Sequence, residues 1–294
     1  MSYNNYEELN ISDALDLLRK WRESNERRSE DIMEIWNAAI EFDLKKLGNE
    51  KHVLLEQIIY AALDCHSYKV ANMCLYLLSK EFPGSLRVMR YEAAMLEAQG
   101  KYEEAMLILD DIIKADETNA AARKRRVAVL KAMGMNSEAI KELVDYLKKF
   151  MSDVEAWQEL SELYLQAQEY SKAAFCAEEL ILHQPHNHLM HQRLADIRYT
   201  MGGVENMELA KSYYCQALKL NPDNMRALLG LFLATTNLLN QYKSSGGGAS
   251  AKRREVWRLC QWAQAQAARR QRAAAPAAAP AQLDDALLAL AIAE

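Results

Sequence analysis

Alanines that recur every 34 residues constrain the fold of this chain more than any other feature of its sequence. They are Ala71, Ala105, Ala139 and Ala173, and three positions before them stand Tyr68, Tyr102, Asn136 and Tyr170. A fixed period of this length indicates a repeated supersecondary unit, and a small residue in each copy lets two helices cross closely. The sequence therefore predicts a stack of antiparallel helix pairs.

One copy of the period resembles the tetratricopeptide consensus closely. In this copy Trp157, Leu160 and Tyr164 recur at helical spacing, which places them in one apolar stripe on the first helix. Ala173 is the small residue at the helix crossing, and Pro185 ends the second helix because its ring excludes further helical hydrogen bonds. We therefore predict tetratricopeptide repeats.

The register places six first helices along the chain. They are predicted to begin near His52, Leu86, Ala120, Val154, His188 and Met225. Before one of them, Ser152 and Glu155 form a capping-box pattern. The sixth pair is interrupted by a Gly/Ser run, after which we expect its second helix to resume. The predicted fold is an all-α tetratricopeptide-repeat superhelical solenoid of about six helical pairs, preceded by N-terminal capping helices.

This register divides the chain into five segments. They are N-terminal capping helices at 1–50, a repeat array at 51–240, a flexible Gly/Ser linker at 241–251, a C-terminal capping helix at 252–272 and an Ala/Pro-rich tail at 273–294. Trp21 and Trp36 are the expected apolar anchors of the first segment, which would cover the open end of the array. Within the tail, 283–293 has the pattern of a short helix.

Composition excludes several classes of protein. With 10 glycines and 5 prolines in 294 residues, the chain has too few turn-formers for a many-stranded β fold. A net charge of −5 gives no overall basic footprint for nucleic acid. The 5 cysteines form no C-x-x-C pair, which favours free thiols in a reducing compartment. Because we also find neither a secretory signal nor an apolar run of the roughly 20 residues that span a membrane, we expect a soluble cytosolic protein.

The first helices of such repeats line a concave groove, which we expect to bind an extended peptide. Residues one, four and eight positions into these helices would face the groove. They are Arg87, Arg90, Lys124 and Lys131 on the N-terminal side, and Glu155, Gln158, Glu162, Gln192 and Asp196 on the C-terminal side. The predicted groove is basic at one end and acidic at the other, which suits a segment with opposing charge blocks.

The densest cluster of charge in the array is the run Arg123, Lys124, Arg125 and Arg126. Arg123 occupies the repeat position that Trp157 fills in its own copy, so apolar packing is lost there. A carboxylate from a partner or an ion pair within the chain would satisfy these cations equally well. We include the run among the candidate partner-binding residues.

Nothing in the sequence indicates catalysis. His183, His186, His188 and His191 cluster around a proline, but no cysteine or carboxylate stands at ligand spacing in that loop, so we interpret them as turn and capping residues. Cys176 has no His or Asp arranged around it, and the sequence contains no phosphate-binding or hydrolase motif. We expect no catalytic residue, no metal, no cofactor and no enzymatic activity.

The segment 252–272 is rich in arginine, with Trp257 and Trp262 interleaved. An anionic membrane surface or RNA would suit this composition. A simpler interpretation, which we favour, is that Trp257, Cys260 and Trp262 pack on the end of the array while the arginines stay solvated.

Several phrases of the sequence are not dictated by the repeat consensus. In order they are FPGS (82–85), AARKRR (121–126), EAWQEL (155–160), AAFC (173–176), PHNHL (185–189), GGVEN (202–206) and QALKL (216–220). Together they resemble the family of subunit 2 of the endoplasmic reticulum membrane protein complex. The likeness extends from about Trp21 to Leu239, and the segment after Lys243 departs from it.

This resemblance implies a non-catalytic scaffold, peripheral on the cytoplasmic side of the endoplasmic reticulum membrane. Members of the family hold cytosolic segments of membrane-spanning subunits and dock a small soluble subunit with a metalloprotease-like but inactive fold. The assembled complex inserts tail-anchored and multipass membrane proteins. By carry-over, the basic run at 123–126 is the best candidate for a partner contact, no nucleic acid is expected to bind, and the membrane is expected to be reached only through partners.

Two other functions fit a helical-repeat groove. A cytosolic co-chaperone adaptor would grip acidic C-terminal peptides with a Lys and an Asn on neighbouring first helices. Here Arg90 is accompanied by Ala94 and Lys124 by Ala128, so the asparagines are missing. An RNA-processing adaptor would use the basic run and the segment 252–272, and its binding would fall steeply with salt.

Overall fold

The computed structural model describes residues 10–40, 50–244 and 250–274, together with Tyr6 and Gly48. The chain forms helices throughout these ranges and no strand. The helices are α1 (Ile11–Glu23), α2 (Ser29–Ile35, continued by a π-helical segment, Trp36–Ile40), α3 (Lys51–Asp64), α4 (Tyr68–Glu81), α5 (Leu86–Ala98), α6 (Tyr102–Ala115), α7 (Ala120–Ala132), α8 (Asn136–Lys149), α9 (Val154–Gln166), α10 (Tyr170–His183), α11 (His188–Met201), α12 (Val204–Leu220), α13 (Met225–Ser244) and α14 (Ser250–Ala274). The middle of the predicted linker and the predicted tail helix at 283–293 lie outside the described residues.

The predicted register is confirmed. Every predicted first helix begins within one residue of its expected position, and α4, α6, α8 and α10 begin at the aromatic or polar residue that recurs every 34 positions. The four recurring alanines are all 0% exposed. At one crossing, the Ser161 hydroxyl donates a hydrogen bond to the Ala173 carbonyl oxygen at 3.2 Å. Small side chains at these points allow the paired helices to pack closely.

The N-caps of the first helices differ from the sequence prediction. Asp153, not Ser152, caps α9, and its Oδ1 accepts a hydrogen bond from the Ala156 backbone N–H at 3.1 Å. The capping box predicted from Ser152 and Glu155 is therefore wrong. Asparagines cap α7, α11 and α13 in the same way, at Asn119, Asn187 and Asn224. Because Asp and Asn accept readily from the free N–H groups of a first turn, these caps fix where each helix begins.

Replacing Asp153 with alanine is expected to lower the free energy of unfolding by about 1–2 kcal/mol. The change removes the cap and also the acceptor of a hydrogen bond from the Tyr146 hydroxyl, 2.7 Å from Asp153 Oδ2. Asp153→Asn keeps the capping acceptor and should cost less than half as much. Urea unfolding followed by circular dichroism measures both variants. Equal losses for the two would show that the carboxylate charge, and not the cap, stabilises this turn.

The chain divides into two compact units, residues 1–142 and 143–294. In the first unit α1 and α2 add to the repeat helices, and their tryptophans enter a core shared with α3 and α4. Trp21 is 4% exposed and Trp36 0% exposed, which confirms them as apolar anchors. Within the ranges described, no helix combines the length and the apolar character that crossing a bilayer requires.

In the second unit, α14 packs on α13. Cys260 is buried there as expected, but Trp257 is 37% exposed and Trp262 46% exposed. The expectation that both tryptophans pack is therefore wrong. The buried face of α14 is formed by Val256, Cys260 and small alanines, and residues 257 and 262 lie on either side of that face at helical spacing.

Candidate partner-binding surfaces

A cavity of about 700 Å³ opens on the first unit, between the N-terminal helices and the first helices of three pairs. It is lined by Trp21, Arg22, Asn25, Glu26, Arg27, Arg28, Ser29, Ile32, Val53, Glu56, Gln57, Tyr60, Ala61, Asp64, Arg87, Tyr91 and Arg125. Of the predicted partner-binding residues, Arg87 and Arg125 meet here. Sequence reasoning missed the arginines at 22, 27 and 28, because it assigned that segment to a cap. Their signal was three arginines within seven residues.

Cations outnumber carboxylates in the lining of this cavity. Arg87 Nη2 lies 2.5 Å from Glu56 Oε2, and Arg27 Nε donates a hydrogen bond to Asp64 Oδ2 at 2.8 Å. The Arg27 guanidinium holds the pKa of Asp64 below its usual value. Although both arginines are paired with carboxylates, the side chains of Arg87 and Arg27 remain 63% and 81% exposed. The cavity therefore offers exposed guanidinium groups that can bind carboxylates of a partner.

Tyrosines form the apolar part of the same cavity. Tyr60 is 41% exposed and packs edge-to-face on the buried Tyr91, with ring centroids 5.5 Å apart. Arg87 Nε donates a hydrogen bond to the Tyr91 hydroxyl at 3.2 Å, and burial raises the pKa of that hydroxyl. Arg90 does not line the cavity; it is half-buried and its guanidinium lies over the Tyr91 ring at 5.6 Å. Guanidinium groups beside an exposed aromatic ring suit an acidic segment that also carries an apolar side chain.

Arg123 performs a structural task that recurs along the repeats. Its Nε donates a hydrogen bond to the carbonyl oxygen of Glu117, six residues earlier, at 3.0 Å. In the next copy Trp157 Nε1 donates to the Met151 carbonyl oxygen at 2.8 Å. One copy further, a ring nitrogen of His191 lies 2.9 Å from the Pro185 carbonyl oxygen. Arg123 therefore replaces the tryptophan of this repeat position but still donates a hydrogen bond to the preceding turn.

The remaining charge of Arg123 is satisfied inside the first unit. Arg123 is 8% exposed, and its Nη1 lies 3.3 Å from Glu142 Oε1. Arg126 pairs with the other oxygen of Glu142 at 3.3 Å and with Asp110 at 3.3 Å. Arg125 pairs with Glu97 at 2.7 Å. Of the two alternatives left open by the sequence, intrachain ion pairs are present for these three arginines, and a partner contact for the run stays a prediction.

The predicted groove residues of the second unit differ in exposure. Glu155, Gln158 and Glu162 are exposed. Gln192, however, is 9% exposed and accepts a hydrogen bond from Asn224 at 2.8 Å, so its predicted place in an open groove is wrong. The next first helix, α13, covers it through its N-cap. Of the other predicted positions, Asp196 and Lys124 are half-buried and Lys131 is exposed.

An apolar cleft of about 600 Å³ lies on the second unit. It is lined by Val144, Leu147, Lys148, Met151, Trp157, Leu160, Tyr164, Ser171, Lys172, Phe175 and Cys176. Met151 and Phe175 are 65% and 53% exposed and lie together in this cleft. An exposed group of large apolar side chains marks a surface that another molecule can cover.

Two members of the histidine cluster, His188 and His191, lie in hydrogen-bonding distance of neighbouring turns, whereas His183 and His186 are exposed. His188 lies 3.0 Å from side-chain nitrogens of both Asn221 and Asn224. No three His, Cys, Asp or Glu side chains within the described ranges come together as a metal site. Burial raises the pKa of Cys176 to about 12, so its thiol stays protonated at neutral pH.

Comparison with known proteins agrees with this architecture. A family model described as the EMC2 TPR-like repeat domain matches residues 68–219. ER membrane protein complex subunit 2-A of Xenopus laevis is 48% identical over 233 residues, which covers 79% of this chain and 78% of the relative. ER membrane protein complex subunit 2 of Dictyostelium discoideum is 32% identical over 262 residues, covering 85% and 79%. The crystal structure of the C-terminal part of a TPR repeat-containing protein from Cytophaga hutchinsonii is similar in fold, with a TM-score of 0.57 at 14% identity over 84% of this chain and 93% of that one.

Proposed function

The chain belongs to the family of subunit 2 of the ER membrane protein complex, and from this premise we propose that it is a non-catalytic scaffold subunit of such a complex. It lies on the cytoplasmic side of the endoplasmic reticulum membrane. There it holds cytosolic segments of membrane-spanning subunits and so supports the insertion of tail-anchored and multipass membrane proteins. The observation that carries the proposal is the match to the Xenopus laevis relative over most of both chains.

The cavity of the first unit is the surface we assign to a cytosolic segment of a partner. Arg27 and Arg87 expose their guanidinium groups there, beside the exposed ring of Tyr60. A segment with carboxylates flanking an apolar or aromatic side chain would pair with these cations and cover that ring. The apolar cleft around Trp157 and Phe175 is the surface we assign to a folded partner, the small soluble subunit with a metalloprotease-like inactive fold, since burying such side chains stabilises association.

Affinity purification of the tagged full chain from cells in mild detergent, with partners identified by mass spectrometry, tests the proposal. We expect stoichiometric recovery of membrane subunits of the endoplasmic reticulum. Recovery of cytosolic chaperones instead would favour a co-chaperone adaptor, and recovery of RNA with a steep salt dependence would favour an RNA-processing adaptor. Either result without membrane subunits would overturn the proposal.

Reversing two exposed cations of the cavity should separate binding from stability. Arg27→Glu with Arg87→Glu is expected to lower the melting temperature by a few degrees only. The exposed ion pairs that are lost contribute about 0–1 kcal/mol, and the new carboxylates also repel those of Asp64 and Glu56. Recovery of membrane subunits should fall at least about tenfold, since buried interfacial charge pairs commonly contribute more than 1.4 kcal/mol.

The matched control for this variant is Lys101→Glu with Lys114→Glu, which changes net charge equally at exposed positions on the second helix of a pair and its preceding turn. It should retain partners. Equal partner loss in both variants would mean that net charge alone governs recovery and that the cavity is not the binding surface.

A further inference from the structure

One face of α14 is committed to the core of the second unit. Val256, Cys260, Ala263 and Ala267 recur at spacings of four and three residues and are between 0% and 6% exposed. They pack in one cluster with α12 and α13. Because a helix presents its residues around a full turn every 3.6 positions, the opposite face of α14 points outward.

That outward face is cationic. Arg254, Arg258 and Arg269 are exposed on it, and the exposed Glu255 lies at its edge. Lys252 and Arg253 lie beside the buried face instead, and Lys252 Nζ is 3.7 Å from Glu208 Oε1. At 3.6 residues per turn, Arg254, Arg258 and Arg269 fall within about 60° of one another around the helix axis, in one stripe. The whole chain carries a net charge of −5. The positive charge of α14 is therefore a local departure from the balance of the chain.

Exposed tryptophans border this stripe on both sides. Trp257 and Trp262 are 37% and 46% exposed, and helical spacing places them on opposite flanks of the arginines. A tryptophan side chain has a large apolar body and one N–H donor, so it prefers the boundary between water and an apolar phase. Arginine stems lie along apolar surface while their guanidinium groups stay in the polar layer. The two residue types together suit a lipid headgroup layer.

Two recesses adjoin the stripe and share a wall. One, of about 490 Å³, is lined by Arg254, Glu255, Arg258, Leu259 and Trp262. The other, of about 380 Å³, is lined by Cys215, Leu218, Lys219, Pro222, Leu231, Leu259, Trp262 and Arg270. Leu259 and Trp262 belong to both. A cationic recess next to a recess with several aliphatic side chains fits a molecule that has an anionic group beside a hydrocarbon chain.

We propose that the outward face of α14 binds the anionic headgroups of a phospholipid bilayer. The stripe around Arg258 contacts lipid phosphates, and Trp257 and Trp262 lie at the level of the headgroups. A nucleic acid could also bind the arginine and tryptophan side chains. Unlike a phospholipid, however, it has no hydrocarbon chain to fill the recess lined by Leu218 and Leu231. The direct contact with lipid adds to contacts made through partner subunits and does not depend on the proposed function.

Co-sedimentation of the purified full chain with vesicles tests this proposal without any partner present. We expect the chain to pellet with vesicles of phosphatidylcholine and phosphatidylserine, to stay soluble with phosphatidylcholine alone, and to be released by salt. Arg258→Glu with Arg269→Glu should weaken binding at least about tenfold, since each cation near an anionic bilayer contributes roughly fivefold to affinity. Its melting temperature should not change, because both side chains are exposed.

Lys101→Glu with Lys114→Glu supplies the same change in net charge on the other unit and should bind the vesicles as the parent does. Trp262→Ser should weaken binding while the salt dependence persists. Equal loss in both charge-reversal variants, no preference for phosphatidylserine, or binding of single-stranded RNA without binding of vesicles would each overturn the proposal. Since the assay contains only this chain and lipid, its failure leaves the recovery of partner subunits from cells untouched.

Discussion

Glu142→Ala is expected to lower the free energy of unfolding by about 3 kcal/mol, because it leaves two arginines of one helix without their shared carboxylate. Glu142 is the common partner of Arg123 and Arg126, and its side chain is only 14% exposed. Removing one member of a buried ion pair leaves an uncompensated charge that water cannot reach. Arg123, at 8% exposure, would keep the hydrogen bond to the Glu117 carbonyl oxygen but lose the carboxylate of Glu142.

The reciprocal change should be far milder. Arg123→Trp restores the residue that occupies the same repeat position in α9, where the Trp157 N–H already donates to the carbonyl oxygen six residues earlier. Glu142 would keep Arg126 as its partner. Replacing a buried ionic contact with a well-packed apolar side chain is often neutral or stabilising. We expect Arg123→Trp to cost less than about 1 kcal/mol, because it keeps the donor and adds apolar contact.

Urea unfolding of both variants measures this asymmetry, and Glu92→Ala provides the control. Glu92 is an exposed carboxylate on the neighbouring first helix α5, and its removal should change stability by no more than about 0.5 kcal/mol. A Glu142→Ala variant as stable as Glu92→Ala would mean that the intrachain pairs contribute nothing. The basic run would then be available to a partner, as the sequence alone allowed.

The contrast between these positions shows what a repeat register can predict. The starts of the helices and the buried alanines repeat every 34 residues. Each copy therefore predicts the same features in the next copy, and these features depend only on residues close in sequence. The N-caps Asn119, Asp153 and Asn187 share that spacing too, but the capping-box pattern at Ser152 drew attention one residue too early. The 34-residue period therefore predicts the positions of these N-caps, whereas the capping-box pattern, which considers one helix start alone, does not.

Contacts between copies cannot be predicted from the period, because they depend on side chains that it does not repeat. Gln192 has the spacing of a groove residue, yet Asn224 covers it. Three extra residues around Gly202 and Gly203 move the N-cap of the following pair from 221, where the 34-residue period would place it, to 224. Arg27 enters the same cavity as Arg87 only because α1 and α2 fold back against α3. No spacing rule within the array predicts either contact. The sequence therefore predicts only part of the lining of the cavity in the first unit.

Gly230→Ala is expected to destabilise the second unit by about 1–3 kcal/mol, although the same change in an open helix would stabilise it by about 1 kcal/mol. A Cβ at position 230 of α13 would lie 2.5 Å from Cε1 of Tyr214 and 2.8 Å from its hydroxyl oxygen. The ring cannot move away freely. Tyr214 is 2% exposed, and its hydroxyl donates a hydrogen bond to Asp196 Oδ1 at 2.6 Å.

The absence of a side chain at Gly230 therefore lets one tyrosine connect three helices. Tyr214 projects from α12, crosses α13 at Gly230 and reaches Asp196 on α11, which also accepts a hydrogen bond from Arg226 Nε at 3.0 Å. Burial and the neighbouring carboxylate raise the pKa of the Tyr214 hydroxyl, which keeps it a donor well above neutral pH. A methyl group at 230 would push the ring out of line with this acceptor.

A double-mutant cycle with Tyr214→Leu distinguishes steric conflict from an effect on α13 itself. Tyr214→Leu alone should be destabilising, since it leaves a cavity and an unpaired Asp196 oxygen. In that background Gly230→Ala no longer meets a ring, so it should be neutral or should add the roughly 1 kcal/mol of ordinary helix propensity. The coupling free energy from urea unfolding of the four proteins is expected to exceed about 1 kcal/mol. A Gly230→Ala effect of equal size in both backgrounds would show that the tyrosine is not what requires glycine at this position.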